Sequence, residues 1–126
     1  MRKIIATAAA PKAVGPYSQA VQQGPFLFCS GQIAINPETN EVFTGDVKTQ
    51  TEMVMKNITA VLKEAGYDWK DIVKTTIFLT SMNDFATVNE IYAKAFTAEP
   101  PARSTVAVAA LPKGVNVEIE VLAYRG

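Results

Sequence analysis

The closing run VNVEIEVLAY, residues 115–124, constrains the fold more than any other stretch of the 126-residue chain. Val115, Val117, Ile119, Val121 and Ala123 alternate with Asn116, Glu118, Glu120, Leu122 and Tyr124, and alternate residues of a strand share a face. Such a strand belongs in a sheet with one face under apolar cover and two glutamates on the other. Charged side chains are seldom fully buried unless paired, so the second face is either a wet edge or a place for chemistry.

Two helical patterns supply the cover. From Asp46, a capping residue, apolar positions fall at Val47, Val54, Ile58, Val61, Leu62 and Ala65, and Gly66 follows as a stop. After SMND, Phe85, Val88, Ile91, Tyr92, Ala95 and Phe96 predict a second helix ending before Pro100 and Pro101. The runs KIIA, PFLFCSGQIAI, IVKTTIFL and RSTVAVAA read as further strands, NPETNE as a turn, and LPKG as a hairpin connection between the last two strands.

The order predicts one α+β domain over residues 1–126, a mixed sheet with both helices on one face. Arg103, Thr105, Ala107 and Ala109 share a strand face, so hairpin pairing would bring Arg103 near a glutamate on the side away from the helices. A monomer leaves that face half wet; an oligomer closes over it.

Twelve basic and twelve acidic residues give zero net charge, and no basic cluster offers a surface for nucleic acid or an anionic membrane. The chain has no histidine, which removes the commonest general base and metal ligand and excludes a Ser-His-Asp or Cys-His nucleophile. Cys29 has no partner for a disulfide, which suits a reducing, cytoplasmic setting. The opening MRKIIATAAAPKAV imitates a secretory leader, but its apolar run is short and broken by Thr7. Nothing approaches the roughly 18 apolar residues of a membrane span.

Four stretches carry candidate chemistry: GPYSQ with Tyr17, CSGQI with Ser30 and Gly31, PARS with Arg103, and VEIE with Glu118. The planar fork of Arg103 fits a ligand carboxylate bidentately, or forms a structural ion pair with Glu118 or Glu120. Glu118 is a general acid–base if burial raises its pKa, or an edge-strand charge against aggregation. Gly31 either admits a ligand close to the backbone or marks a bulge. Tyr17 offers a hydroxyl or mere packing, and Cys29 reads as a small core residue.

Taken together, these stretches resemble the Rid (YjgF) family of enamine/imine deaminases over nearly the whole chain, most specifically in PARSTV followed, after LPKG, by VEI. The resemblance implies a chorismate-mutase-like α+β fold and a homotrimer with sites between subunits. It implies hydrolysis of 2-aminoacrylate and 2-iminobutanoate to 2-keto acids and ammonia without cofactor or metal. Arg103 would hold the substrate carboxylate with the Gly31 N–H, Glu118 would handle the water, and Tyr17 and Ser30 would line the pocket. The Arg103 carbonyl would accept from the imine nitrogen. Many members place cysteine where this chain has Thr105, which leaves a hydroxyl to position water. The alternative is a binding or regulatory protein that holds a small carboxylate without turning it over. A ribonuclease or translation-inhibitor role, attached to some relatives, fits poorly with zero net charge and no histidine.

Overall fold

The computed structural model describes residues 2–126, with strands β1 (Arg2–Ile5), β2 (Ala20–Gln23), β3 (Phe26–Cys29), β4 (Ile72–Leu79), β5 (Ala102–Ala107) and β6 (Val117–Tyr124). Helices α1 (Val47–Ala65) and α2 (Phe85–Ala93) precede β4 and β5. Asp46 starts α1 by accepting a hydrogen bond from Thr49 N at 2.8 Å, and Gly66 ends it in the left-handed conformation at φ 81°. Regular α2 stops at Ala93, short of the predicted Phe96. The N–H groups of Lys94, Ala95 and Phe96 bond instead to carbonyls only three residues back, a tightened last turn.

The strands form one sheet in the order β1-β2-β3-β6-β4-β5. β4 and β5 run parallel and the other pairs are antiparallel. Parallel neighbours need a crossover, and α2 provides it. Both helices cover one face. Val54, Ile58, Val61 and Leu62 of α1 and Val88 and Ile91 of α2 pack over Leu27, Ile77, Leu79, Val117, Ile119, Val121 and Ala123. The alternation read in the last strand is thus the boundary between core and open face.

Three further features differ from the sequence reading. The expected hairpin between the last two strands does not form, because β4 lies between β5 and β6. The crossover delivers β5 to one edge of β4 and leaves the other edge to β6. The PKG of the supposed hairpin turn is a short 3-10 turn, with Lys113 at φ 58° and Gly114 at φ 75°. PFLFCSGQIAI is not one strand: Phe28 pairs with Leu122 and Gln32 with Ile119, so Cys29, Ser30 and Gly31 oppose only Glu120 and Val121. That extra residue is a β-bulge. Finally, AVQQ forms the unforeseen β2, joined to β3 by a two-residue turn at Gly24 and Pro25 with Gly24 at φ 59°.

Candidate active site

The bulge after β3 and the middle of β6 make the first half of the site. A Cβ added to Gly31 would overlap Glu118 Oε2 and lie 2.9 Å from its Cδ. Gly31 therefore marks a bulge and also makes room for the carboxylate laid across it. On either side the backbone is committed: Ser30 N–H donates to the Gln19 carbonyl and Gln32 N–H to that of Ile119, each at 2.9 Å. Ser30 Oγ donates to the Ser18 carbonyl at 2.6 Å, which draws the loop bearing Tyr17 alongside the bulge. Tyr17 is exposed, its N–H turned back to the carbonyl of Gly15, a residue at φ 117°.

Sequence reasoning missed what holds this loop. Gln19 is buried, and its carboxamide accepts from Thr7 N at 2.7 Å while donating to the Pro11 carbonyl at 2.7 Å. Only its place inside GPYSQ hinted at such a role.

Glu118 is partly buried, and burial pushes its pKa above the usual carboxylate range, with neighbouring Glu120 adding to the rise. Desolvation disfavours the charged form. A carboxyl group tuned upward in this way is better matched to taking up and returning a proton near neutral pH. Cys29 packs against the core as the sequence suggested, and burial pushes its thiol up to about 12.

Arg103 and Thr105 form a separate half. In the parallel pair Arg103 stands beside Thr75 and Thr105 beside Ile77, and both β4 residues are buried beneath the helices. Glu118 and Glu120 pair instead with Phe78 and Thr76, whose side chains point the other way. Arg103 thus does not meet either glutamate on the open face, contrary to the sequence reading: β4 intervenes and the faces are opposite. Its Nη1 donates to Asn89 Oδ1 at 2.6 Å, and its guanidinium carbon lies 5.2 Å from the Tyr92 ring centroid and 5.5 Å from that of Phe85. Asn89 was not foreseen; its helical spacing from Phe85 and Tyr92 was the available signal. Thr105 Oγ1 is buried without a hydrogen-bond partner among the described residues. One chain therefore offers a carboxylate half and a guanidinium half, with β5 at the edge of the sheet.

A small α+β chain with this sheet order and these motifs falls in a known class. Residues 7–125 match the family described as Endoribonuclease L-PSP, and the chain belongs to it, the Rid or YjgF family. A RutC family protein of Pyrococcus horikoshii is 51% identical over 125 residues, covering 99% of both chains. The 2-iminobutanoate/2-iminopropanoate deaminase of Mus musculus is 47% identical, over 100% of this chain and 93% of its own length. The crystal structure of E. coli TdcF with bound serine superposes with a TM-score of 0.93 at 46% identity, covering 98% of this chain and 99% of that one. Among the described residues no helix is long and apolar enough to cross a membrane.

Proposed function

We propose that the protein is a cytoplasmic, cofactor-free deaminase, one domain over residues 1–126, that hydrolyses 2-aminoacrylate and 2-iminobutanoate to 2-keto acids and ammonia as a homotrimer. The observation that carries this reading is Glu118: a partly buried carboxyl group with a raised pKa, seated on a glycine bulge beside Ser30 and the Tyr17 loop.

Arg103 takes the substrate carboxylate bidentately, helped by the Gly31 N–H, and Tyr17 and Ser30 line the pocket. The substrate reacts as its protonated imine, 2-aminoacrylate having first gained a proton at C3. Water attacks C2 and Glu118 accepts its proton as the C–O bond forms. Thr105 orients the water, and the Arg103 carbonyl accepts from the nitrogen. Glu118 passes the proton to nitrogen; as the C–N bond breaks and the carbonyl forms, the hydroxyl proton returns to Glu118 and goes on to the departing ammonia. Protonated imine and water thus become keto acid and ammonium, with one group shuttling the proton.

Since the two halves lie on opposite faces of one sheet, a complete site draws Arg103 from one copy and Glu118 from another. The open face supports assembly. Phe26, Phe28 and Tyr124 are exposed and cluster there, with ring centroids 6.1 Å apart for the phenylalanines and 5.0 Å for Phe26 and Tyr124. Exposed apolar patches mark interfaces. The number three comes from the family likeness. The serine held by a relative favours a second reading, a non-catalytic carboxylate-binding protein, which lacks turnover.

The experiment is complementation. Arg103→Ala and Glu118→Gln proteins should each release ammonia from freshly generated 2-aminoacrylate at no more than about a hundredth of the wild-type rate. Dissociated, mixed equally and reassembled, they recover about a quarter of wild-type turnover, since a quarter of neighbour pairs in a cyclic ring join two intact halves. No recovery from trimers proven mixed rejects the shared site. A wild-type trimer without turnover rejects the enzyme.

A further inference from the structure

We propose that one stripe of α2, formed by Phe85, Asn89 and Tyr92, is a mount that holds the Arg103 guanidinium in a fixed plane and leaves the rest of its fork for a carboxylate. The three are positioning residues, and the inference rests on the ligand role given to Arg103 above.

Residues 85, 89 and 92 fall on one helix face by their spacing. Two aromatic rings lie within cation–π range of the guanidinium carbon, at 5.2 and 5.5 Å. Tyr92 is itself tied down: its hydroxyl lies 2.7 Å from Oγ1 of the fully buried Thr75 on β4. The guanidinium is consequently referenced to the sheet through Tyr92 and to the helix through Asn89. Asn89 has the chemistry a mount requires, because its neutral amide oxygen accepts one N–H at 2.6 Å without cancelling the positive charge. Aspartate there would hold the arginine more firmly and compete with any incoming carboxylate. Arg103 also borders a cavity of about 410 Å³ with Tyr92, Phe96, Pro100 and Pro101, so the held fork adjoins open space. Pre-ordering the fork lowers the cost of bidentate binding.

The test titrates 2-oxobutanoate into each variant by calorimetry, beside thermal melts and ammonia-release kinetics. Asn89→Asp should melt no lower than wild type, bind the keto acid about tenfold more weakly and raise KM with kcat nearly unchanged. Tyr92→Leu should weaken binding by roughly threefold to tenfold, and Tyr92→Phe, which keeps the ring, should restore most of it. Asn89→Ala, free of the added charge, should fall between wild type and Asn89→Asp. Weaker binding in Asn89→Ala at an unchanged melting temperature separates a mount from a merely structural contact. Wild-type affinity in Asn89→Asp and Tyr92→Leu, with binding lost in Arg103→Ala, overturns the mount alone. Intact binding in Arg103→Ala overturns the underlying reading of the arginine.

Discussion

Val117, Ile119 and Val121 point beneath the helices with 0%, 0% and 4% of their surface exposed, whereas Phe28 on the other side of the same sheet keeps 50%. The covered face follows from folding alone. Each fully buried aliphatic side chain there contributes about 1.5–3 kcal/mol of transfer free energy, and the alternation of β6 is what delivers it. The open face does not follow from folding alone. It exposes aromatic rings and carries Glu118, a carboxyl group whose ionisation burial opposes. A sheet built only to be stable would carry neither, and the open face is where the proposed partner copy and ligand would sit.

The sharpest way to break that contrast is at the arginine, the one charged group placed on the helix side of β5. Arg103→Ala should abolish measurable turnover and keto-acid binding while the fold persists. Arg103→Lys should fail as well, because a point charge cannot reproduce the planar fork. Steady-state kinetics and calorimetry check both. Near-normal kcat/KM in the lysine variant would remove the bidentate role.

Next comes Glu118→Gln, expected to lower kcat by roughly 10² or more with little change in ligand affinity. Stability should move the other way. Because the folded chain holds this proton to a higher pH than the unfolded chain, the group's contribution is fully present below the ordinary carboxylate pKa and lost as pH rises through the raised one. Melts should therefore find the glutamine variant at least as stable as wild type at neutral pH, with the difference vanishing on acidification. Glu120→Gln should be milder in rate and shift the pH profile towards acid, since Glu120 adds to the rise. A destabilised glutamine variant with wild-type kcat would make Glu118 a structural charge.

The smallest effect should come from Gly31→Ala. Its added Cβ would meet the Glu118 carboxylate, so the carboxylate must swing aside. Displacement, unlike removal, should reduce kcat/KM by about tenfold, with an overpacking cost of roughly 1–3 kcal/mol in a denaturant titration. Unchanged kinetics would mean that the glycine serves the bulge alone.

Much of the covered face was legible in the sequence because local physics writes it. Asp46 and Gly66 bracket α1, and the two-residue period of β6 sorts its side chains. What failed was pairing between distant segments. LPKG has the composition of a hairpin turn, yet strand neighbours are decided by where a crossover leaves its strand, and α2 leaves β5 beyond β4. The same error placed Arg103 beside the glutamates. AVQQ escaped notice because a four-residue strand with two glutamines has a weak β signal, although Gly24-Pro25 before FLFC was a usable hairpin cue. The candidate site residues could be nominated by their type. Their division between two faces could not, because no local pattern in β5 records which neighbour it will find.

Burial of Cys29 carries a consequence for the setting in which such a protein works. With the thiol pushed up to about 12, roughly one molecule in 10⁵ carries a thiolate at pH 7. It is the only sulfhydryl in the chain, and the proposed chemistry runs on a carboxylate and a guanidinium. Thiol–disulfide exchange has almost no thiolate to seize, so the proposed hydrolysis does not depend on the surrounding thiol–disulfide balance.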